Sequence, residues 1–311
     1  MKKILLAISA LSAAMFSTAA NADISVSGSA NAVYVDAEGN SQGHVGGTIS
    51  FSMSTTTDGG VTISTSGQIT NDPDAAGGAG TASGMTALTF AFANGSITVA
   101  DDVAVPAGTG LVGELVGHAD SNQVTHTNDV AITTDDGSGI SASTSIGDMT
   151  LSGTYFYDGG HVQNIDGGTT TGAGASLTIP LGDMSLVVSS SSVDANGTED
   201  SSTGGALTMT AGGGTLSLGI ETTSGDTAAT EGEAYSVAYS TTLGTSSVAV
   251  GYTGFDANSN TSSKTDVTVS QSIGGGASIF AEYSNLSGAG AVASSQTLGE
   301  GVVAVGTSVS F

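Results

Sequence analysis

The sequence contains no cysteine, no tryptophan and no arginine, and only 3 of its 311 residues are proline. Without cysteine there is neither a disulfide framework nor a thiolate-ligated metal site. Lys and Arg together number 3 against 28 Asp and Glu, giving a formal charge of −25. Two of those three, Lys2 and Lys3, sit at the amino terminus, so Lys264 is the only basic side chain in the rest of the chain. Nucleic acid is excluded as a partner, because no cluster of cations exists to neutralise phosphates. Aromatic residues make up 5%, too few to fill the close-packed core between two stacked sheets. Beyond residue 22 no apolar run approaches the ~20 residues that a membrane helix demands. What the chain has in excess is glycine, 48 residues, about twice the usual share of roughly 7%.

The first 22 residues have the organisation of a bacterial secretory signal. Lys2 and Lys3 form a short basic start, Ile4 to Phe16 an apolar stretch, and Ala20-Asn21-Ala22 a small-residue cleavage pattern before Asp23. Residues 1–22 are therefore expected to be removed, with cleavage recognised at Ala20 and Ala22, leaving 23–311 as one domain outside the cytoplasm. A closed barrel is the one structure besides the helix that crosses a bilayer with every backbone group paired.

Apolar residues recur at every second position in short segments and nowhere hold the spacing of an amphipathic helix. Val303, Val305, Thr307, Val309 and Phe311 alternate with Ala304, Gly306, Ser308 and Ser310, and Val267-Val269-Gln271-Ile273, Val248-Val250-Tyr252 and Leu216-Leu218-Ile220 keep the same rhythm. An apolar face turned to lipid needs no partner, and the opposite face can stay small, polar and wet. Very short Gly- and Asp-rich turns, such as Gly147-Asp148 and Gly182-Asp183, take turns with polar stretches near 38–43, 71–84, 102–139, 158–168, 195–203, 224–232, 257–263 and 287–300, read as longer loops. Short turns at one end and long loops at the other is the asymmetry of outer-membrane barrels. The pattern predicts an all-β, transmembrane antiparallel barrel of about sixteen strands. That number is even, as closure requires, and leaves an aqueous lumen.

Three features resemble the general porins of Gram-negative bacteria with sixteen strands. The alternating segment Val303, Val305, Val309 ending on Phe311 is similar to the barrel-assembly signal of that class. Ala93-Asn94-Gly95-Ser96-Ile97-Thr98-Val99-Ala100-Asp101 is similar to the tight turn and fifth strand that precede the porin constriction loop. The long segment 102–139 then falls where porins fold their third loop into the pore. The resemblance implies an outer-membrane location, a passive water-filled channel for small hydrophilic solutes and ions, a homotrimer, and engagement of outer-membrane lipids and the barrel-assembly machinery. It departs from the family in lacking the arginine cluster that faces the acidic loop, so a transverse field cannot be built that way.

On this reading the pore constriction is acidic. Asp101, Asp102, Glu114, Asp120, Asp129, Asp135 and Asp136 lie in or beside it, and an uncompensated acidic ring favours cations over anions. Small cations and neutral hydrophilic solutes are the expected cargo. Tyr155, Phe156, Tyr157, Tyr252, Phe255 and Tyr283 are candidates for an aromatic girdle at the outer interface. His44, His118, His126 and His161 are all placed in loops, without ligand spacing. No cofactor is expected beyond calcium held loosely at acidic outer loops, for which Asp256-Ala257-Asn258-Ser259-Asn260 is a partial match lacking the glycine and distal glutamate of the calcium loop. No G-x-S-x-G elbow or phosphate loop is present, and the chain is not expected to be an enzyme. The competing reading, a secreted or surface-attached acidic β-rich adhesin, calls for a fixed calcium-binding repeat; the sequence has none.

Overall fold

The structure is a computed structural model that describes residues 23–37, 40–71, 81–83, 87–100, 138–158, 170–195, 197–225, 231–257, 260–288 and 301–311. The described residues form strands β1 (Asp23–Ala37), β2 (Asn40–Thr56), β3 (Thr62–Asn71), β4 (Thr81–Ser83), β5 (Ala87–Phe92), β6 (Gly95–Ala100), β7 (Ser138–Ile146), β8 (Met149–Asp158) and β9 (Thr170–Leu181). They continue through β10 (Met184–Ala195), β11 (Thr198–Ala211), β12 (Gly214–Gly225), β13 (Gly232–Leu243), β14 (Ser246–Ala257), β15 (Asn260–Gly274), β16 (Ala277–Gly288) and β17 (Gly301–Ser310). Each strand runs antiparallel to its neighbours, and β1 pairs with both β2 and β17, which closes the sheet into a cylinder. The short β4 and β5 both pair with β3, at Gln68–Thr70 and at Thr62–Ser64 respectively, and together occupy one place in the wall. The cylinder thus has sixteen wall positions. At ~4.8 Å between strands and a tilt of ~40°, it is about 30 Å across between backbones.

The period-two pattern sorts side chains by face. Tyr235 and Val237 of β13 are exposed at 47% and 41%, whereas Ala234, Ser236 and Ala238 are buried. The same parity puts Leu218 and Ile220, Val267 and Val269, Ile279 and Tyr283, and Val303, Val305 and Val309 on the outside. Register joins these into an apolar belt: Leu186 lies beside Ile179, Leu207 beside Leu218, and Val248 beside Val269. A belt of exposed aliphatic side chains around a closed cylinder is the outer surface of a membrane-spanning barrel. No helix among the described residues is long and apolar enough to cross a membrane; strands make the crossing. An interior packed with apolar side chains, which a free-standing adhesin domain would need, is not what the inward face offers.

The short turns follow from glycine. Gly147 (φ 63°) and Gly182 (φ 67°) occupy the left-handed region in the connections to β8 and β10, where a residue without Cβ costs least and the backbone twist suits a tight hairpin.

The other end differs from the sequence expectation. Segments 38–43, 195–203 and 257–263 are mostly strand: β1 and β2 pair as far as Ala37–Asn40, β10 and β11 to Ala195–Thr198, and β14 and β15 to Ala257–Asn260. Polar composition marks water on both faces there, not the end of pairing. Hydroxyls reach between strands at Ser201–Ser224 (2.9 Å) and Ser263–Ser287 (2.8 Å). His44, expected in a loop, falls within β2. His118, His126 and His161 lie outside the described residues.

Candidate functional site: the lumen wall

The inward face of the wall is a surface of hydroxyls. Cross-strand pairs stand at Ser25–Ser52 (2.7 Å), Thr48–Thr70 (3.3 Å), Thr89–Thr98 (2.9 Å), Ser96–Ser143 (3.0 Å) and Ser278–Ser308 (2.7 Å). Each group satisfies its neighbour and keeps a lone pair for water. Such a lining is neutral, wettable and unreactive.

Buried charge enters the wall on β12 to β16, and the half-buried Asp200 of β11 lies on the same inward face as Ser202. Glu221 follows the outward Ile220 and therefore faces inward; it is 2% exposed and accepts a hydrogen bond from Ser202 Oγ at 2.5 Å. Three strands further round, Lys264 Nζ lies 3.3 Å from Asp266 Oδ1. Ser284 Oγ, opposite Asp266 in the register, stands 2.5 Å from Asp266 Oδ1 and 3.2 Å from Glu282 Oε1. Three buried carboxylates thus share the wall with one ammonium. Four buried hydroxyls on the same face, those of Ser189, Ser191, Ser236 and Thr268, have no hydrogen-bond partner.

A smaller apolar patch faces inward from β6, β8 and β10. Ala100, Phe156 and Val193 are buried together, with Ala87 packed against them. Phe156 lies across Gly172, its register partner on β9, whose missing side chain makes room for the ring. This corrects the girdle expected from sequence: Phe156 and Phe255 point inward and are buried, because each follows or precedes an outward position on an alternating strand. Tyr155 and Tyr283 are exposed on the outer face, as expected, and Tyr252, half-buried, packs against Tyr235, a residue the sequence reading did not single out, with ring centroids 6.0 Å apart.

A closed sixteen-position barrel, apolar outside and hydroxyl-lined inside, is a pore. The Gram-negative porin profile matches residues 7–291. The chain belongs to the Gram-negative porin family. Among solved structures it is similar to an anion-selective porin from Comamonas acidovorans, with 15% identity, 94% of this chain and 100% of that one covered, and a TM-score of 0.72. It is also similar to a porin refined at 1.8 Å resolution (16% identity, 93% and 100% covered, TM-score 0.69) and to a variant of the Rh. blastica porin (16% identity, 93% and 100% covered, TM-score 0.65). No curated protein matches it by sequence.

This porin is a channel protein of the Gram-negative outer membrane and not an enzyme. Its seven sequence-predicted constriction residues, Asp101, Asp102, Glu114, Asp120, Asp129, Asp135 and Asp136, lie outside the described residues, as do Ala20 and Ala22. Val303, Val305 and Val309 form the outward face of β17, and Phe311 follows it at 74% exposure. Glu221, Asp266 and Glu282 were not singled out from sequence, and Lys264 only as the one basic side chain beyond the amino terminus. The signal was nevertheless there: each lies one residue from an outward position on an alternating strand.

Proposed function

We propose that this outer-membrane porin, which passes small hydrophilic solutes by passive diffusion, prefers cations. The observation that carries this reading is the charge of the described wall: Glu221, Asp266 and Glu282 stand against a single Lys264, which Asp266 already neutralises. An acidic lining lowers the energy of a cation in the lumen and raises that of an anion. The fold itself does not set the sign, since a similar barrel is described as anion-selective.

The reading includes connection 101–137, leaving β6 after Ala100 and entering β7 at Ser138, as the segment that narrows the lumen with its seven acids. Its support is the burial of Ala87's neighbours Ala100, Phe156 and Val193 on an inward face, which asks for a covering segment in a cylinder this wide. Homotrimerisation, assembly through Val303, Val305, Val309 and Phe311, and calcium at the outer loops enter as expectations of family and composition. Removal of 1–22 enters as an expectation of the leader's sequence pattern.

Zero-current potentials of the purified protein across a potassium chloride gradient test the central reading. A potential of the cation-selective sign supports it, and one of the anion-selective sign overturns it. Native mass and cross-linking address the trimer, and amino-terminal sequencing the cleavage after Ala22.

A further inference from the structure

We propose that the outer face of β6 to β9 holds a phospholipid of the periplasmic leaflet, one acyl chain lying in a groove floored by Ala142, Gly153 and Ala175. The inference is independent of ion preference and rests only on the membrane-spanning barrel. Register puts these three residues in one row with the outward Ile97, on four successive strands. Elsewhere in the belt such a row carries branched side chains, as in Leu207, Leu218 and Val237. Here the row is nearly bare. The resulting groove has a volume of ≈ 530 Å³ and is walled by Phe92, Ile97 and Leu151.

Depth and charge choose the occupant. Asn94 and Thr144 make one end of the groove polar, and Asn94 belongs to the short turn between β5 and β6, at the periplasmic end of the wall. Counted from the strand ends on that side, Ile97, Gly153 and Ala175 stand two, four and six residues in. A rise of ~2.5 Å per residue on a wall tilted ~40° puts them at about 5, 10 and 15 Å. The groove therefore climbs from the polar boundary to near the middle of an apolar belt ~25 Å tall, the course of an acyl chain from one leaflet. Its lining is continuous with the lipid-facing belt. The turns at this end expose Asp148 and Asp183, and the only basic side chain beyond the amino terminus, Lys264, stands on β15. An anionic headgroup is repelled there, whereas an ammonium-bearing one such as phosphatidylethanolamine meets carboxylates.

Gly153 keeps the floor open without being required by the wall. A Cβ there would meet nothing nearer than the carbonyl oxygen of Gly174 at 3.6 Å, an ordinary contact. Gly95 differs, since a Cβ on it would collide with the Ser143 carbonyl oxygen. Within hydrocarbon, association is driven by van der Waals packing and not by escape from water. A chain seated in the groove gains contacts on its floor and both sides that a chain lying against a flat part of the belt does not make.

The chain has no tryptophan, so one introduced at the polar end of the groove reports on it alone. Purified porin carrying Phe92→Trp is reconstituted in phosphatidylcholine vesicles with increasing amounts of brominated phosphatidylethanolamine. The control is Leu243→Trp, which like Phe92 is the last residue of its strand but lies on β13, away from the groove. Half-quenching is expected at a severalfold lower mole fraction of brominated lipid for Phe92→Trp than for the control. Adding Ala142→Leu with Gly153→Leu should erase that difference while the heat-modifiable folded band is kept; should the pair not fold, Ala175→Leu blocks the inner end of the groove and should reduce it. Equal half-quenching fractions for the two reporters, or a difference that survives filling, overturns the site. Weaker quenching of Phe92→Trp than of the control also overturns it, and marks a second copy of the chain on this face. Brominated phosphatidylglycerol quenching as readily as the ethanolamine lipid overturns the choice of headgroup. Zero-current potentials on the same variants separate this claim from the cation-preferring reading: an anion-selective potential overturns that reading alone, and equal quenching overturns the groove alone.

Discussion

The aromatic ring of Phe311 lies over the α-carbon of Gly28, and the two residues exchange both backbone hydrogen bonds, Gly28 N–H to Phe311 O at 2.8 Å and Phe311 N–H to Gly28 O at 2.9 Å. This is the last rung of the β1–β17 seam that closes the cylinder. A Cβ on Gly28 would come within 2.5 Å of ring atoms Cε2 and Cζ. Small-to-large changes in a packed core cost about 1–3 kcal/mol, and because Phe311 is 74% exposed and its ring can swing aside, the cost here falls at the low end of that range. Gly28→Val should therefore lower the midpoint of denaturant unfolding in micelles, and Phe311→Ala combined with it should recover part of the loss because the obstructing ring is gone. An additive double variant would show that the ring and the glycine do not meet.

The same device recurs away from the seam. Tyr235 lies across its register partner Gly254 and packs against Tyr252 at 37° between ring planes. Aromatic pairs in this arrangement contribute about 0.5–1.5 kcal/mol beyond their area. A double-mutant cycle on Tyr235→Ala and Tyr252→Ala, read by the unfolding midpoint, should give a coupling of that size with the favourable sign. Zero coupling would mean that each ring acts through lipid contact alone.

Much of this architecture was legible because alternation is a strong signal wherever one face is aliphatic. Leu216, Leu218 and Ile220 fix β12 and the aim of Glu221 at once. Strand ends were misplaced where both faces meet water: Thr198 to Thr203 carry Ser, Thr, Asp and Glu, which suit a turn and a solvated strand equally, and only pairing with β10 and β12 decides between them. Phe156 and Phe255 were misassigned for a different reason. Hydrophobicity suggested lipid, but parity turns each inward, and parity is the stricter constraint because a one-residue shift moves a whole strand to its other face. Lys264 and Asp266, two residues apart on β15, share a face by parity alone, whereas Glu282 of β16 joins them only through the register.

The Lys264–Asp266 pair, with side chains 3% and 4% exposed, is buried well enough that losing one partner strands the other. Removing one member of a buried pair typically costs about 3–5 kcal/mol, whereas replacing both can be nearly neutral. Lys264→Met alone should destabilise the barrel by this order, and Lys264→Met with Asp266→Leu should restore most of the stability, as measured by guanidinium unfolding. Equal instability of the single and double variants would show that the pair is not the relevant interaction.

Salt separates the two sets of acids. The screening length is ~30 Å at 0.01 M and ~3 Å at 1 M, so charges exposed to the water column govern selectivity in dilute salt and lose their reach in brine. Buried charges are screened much less. Glu221, Asp266 and Glu282 are 5% exposed or less. Neutralising the seven acids of 101–137 to Asn or Gln should therefore reduce the cation-selective potential most strongly in dilute potassium chloride, with little effect at ~1 M. Neutralising Glu221 and Glu282 should produce a smaller change that persists at both concentrations. The comparison needs only zero-current potentials at two mean salt concentrations with the same gradient ratio. If the wall variant loses its effect in concentrated salt as completely as the loop variant does, the wall carboxylates lie in open water and not in the dehydrated layer that their burial indicates.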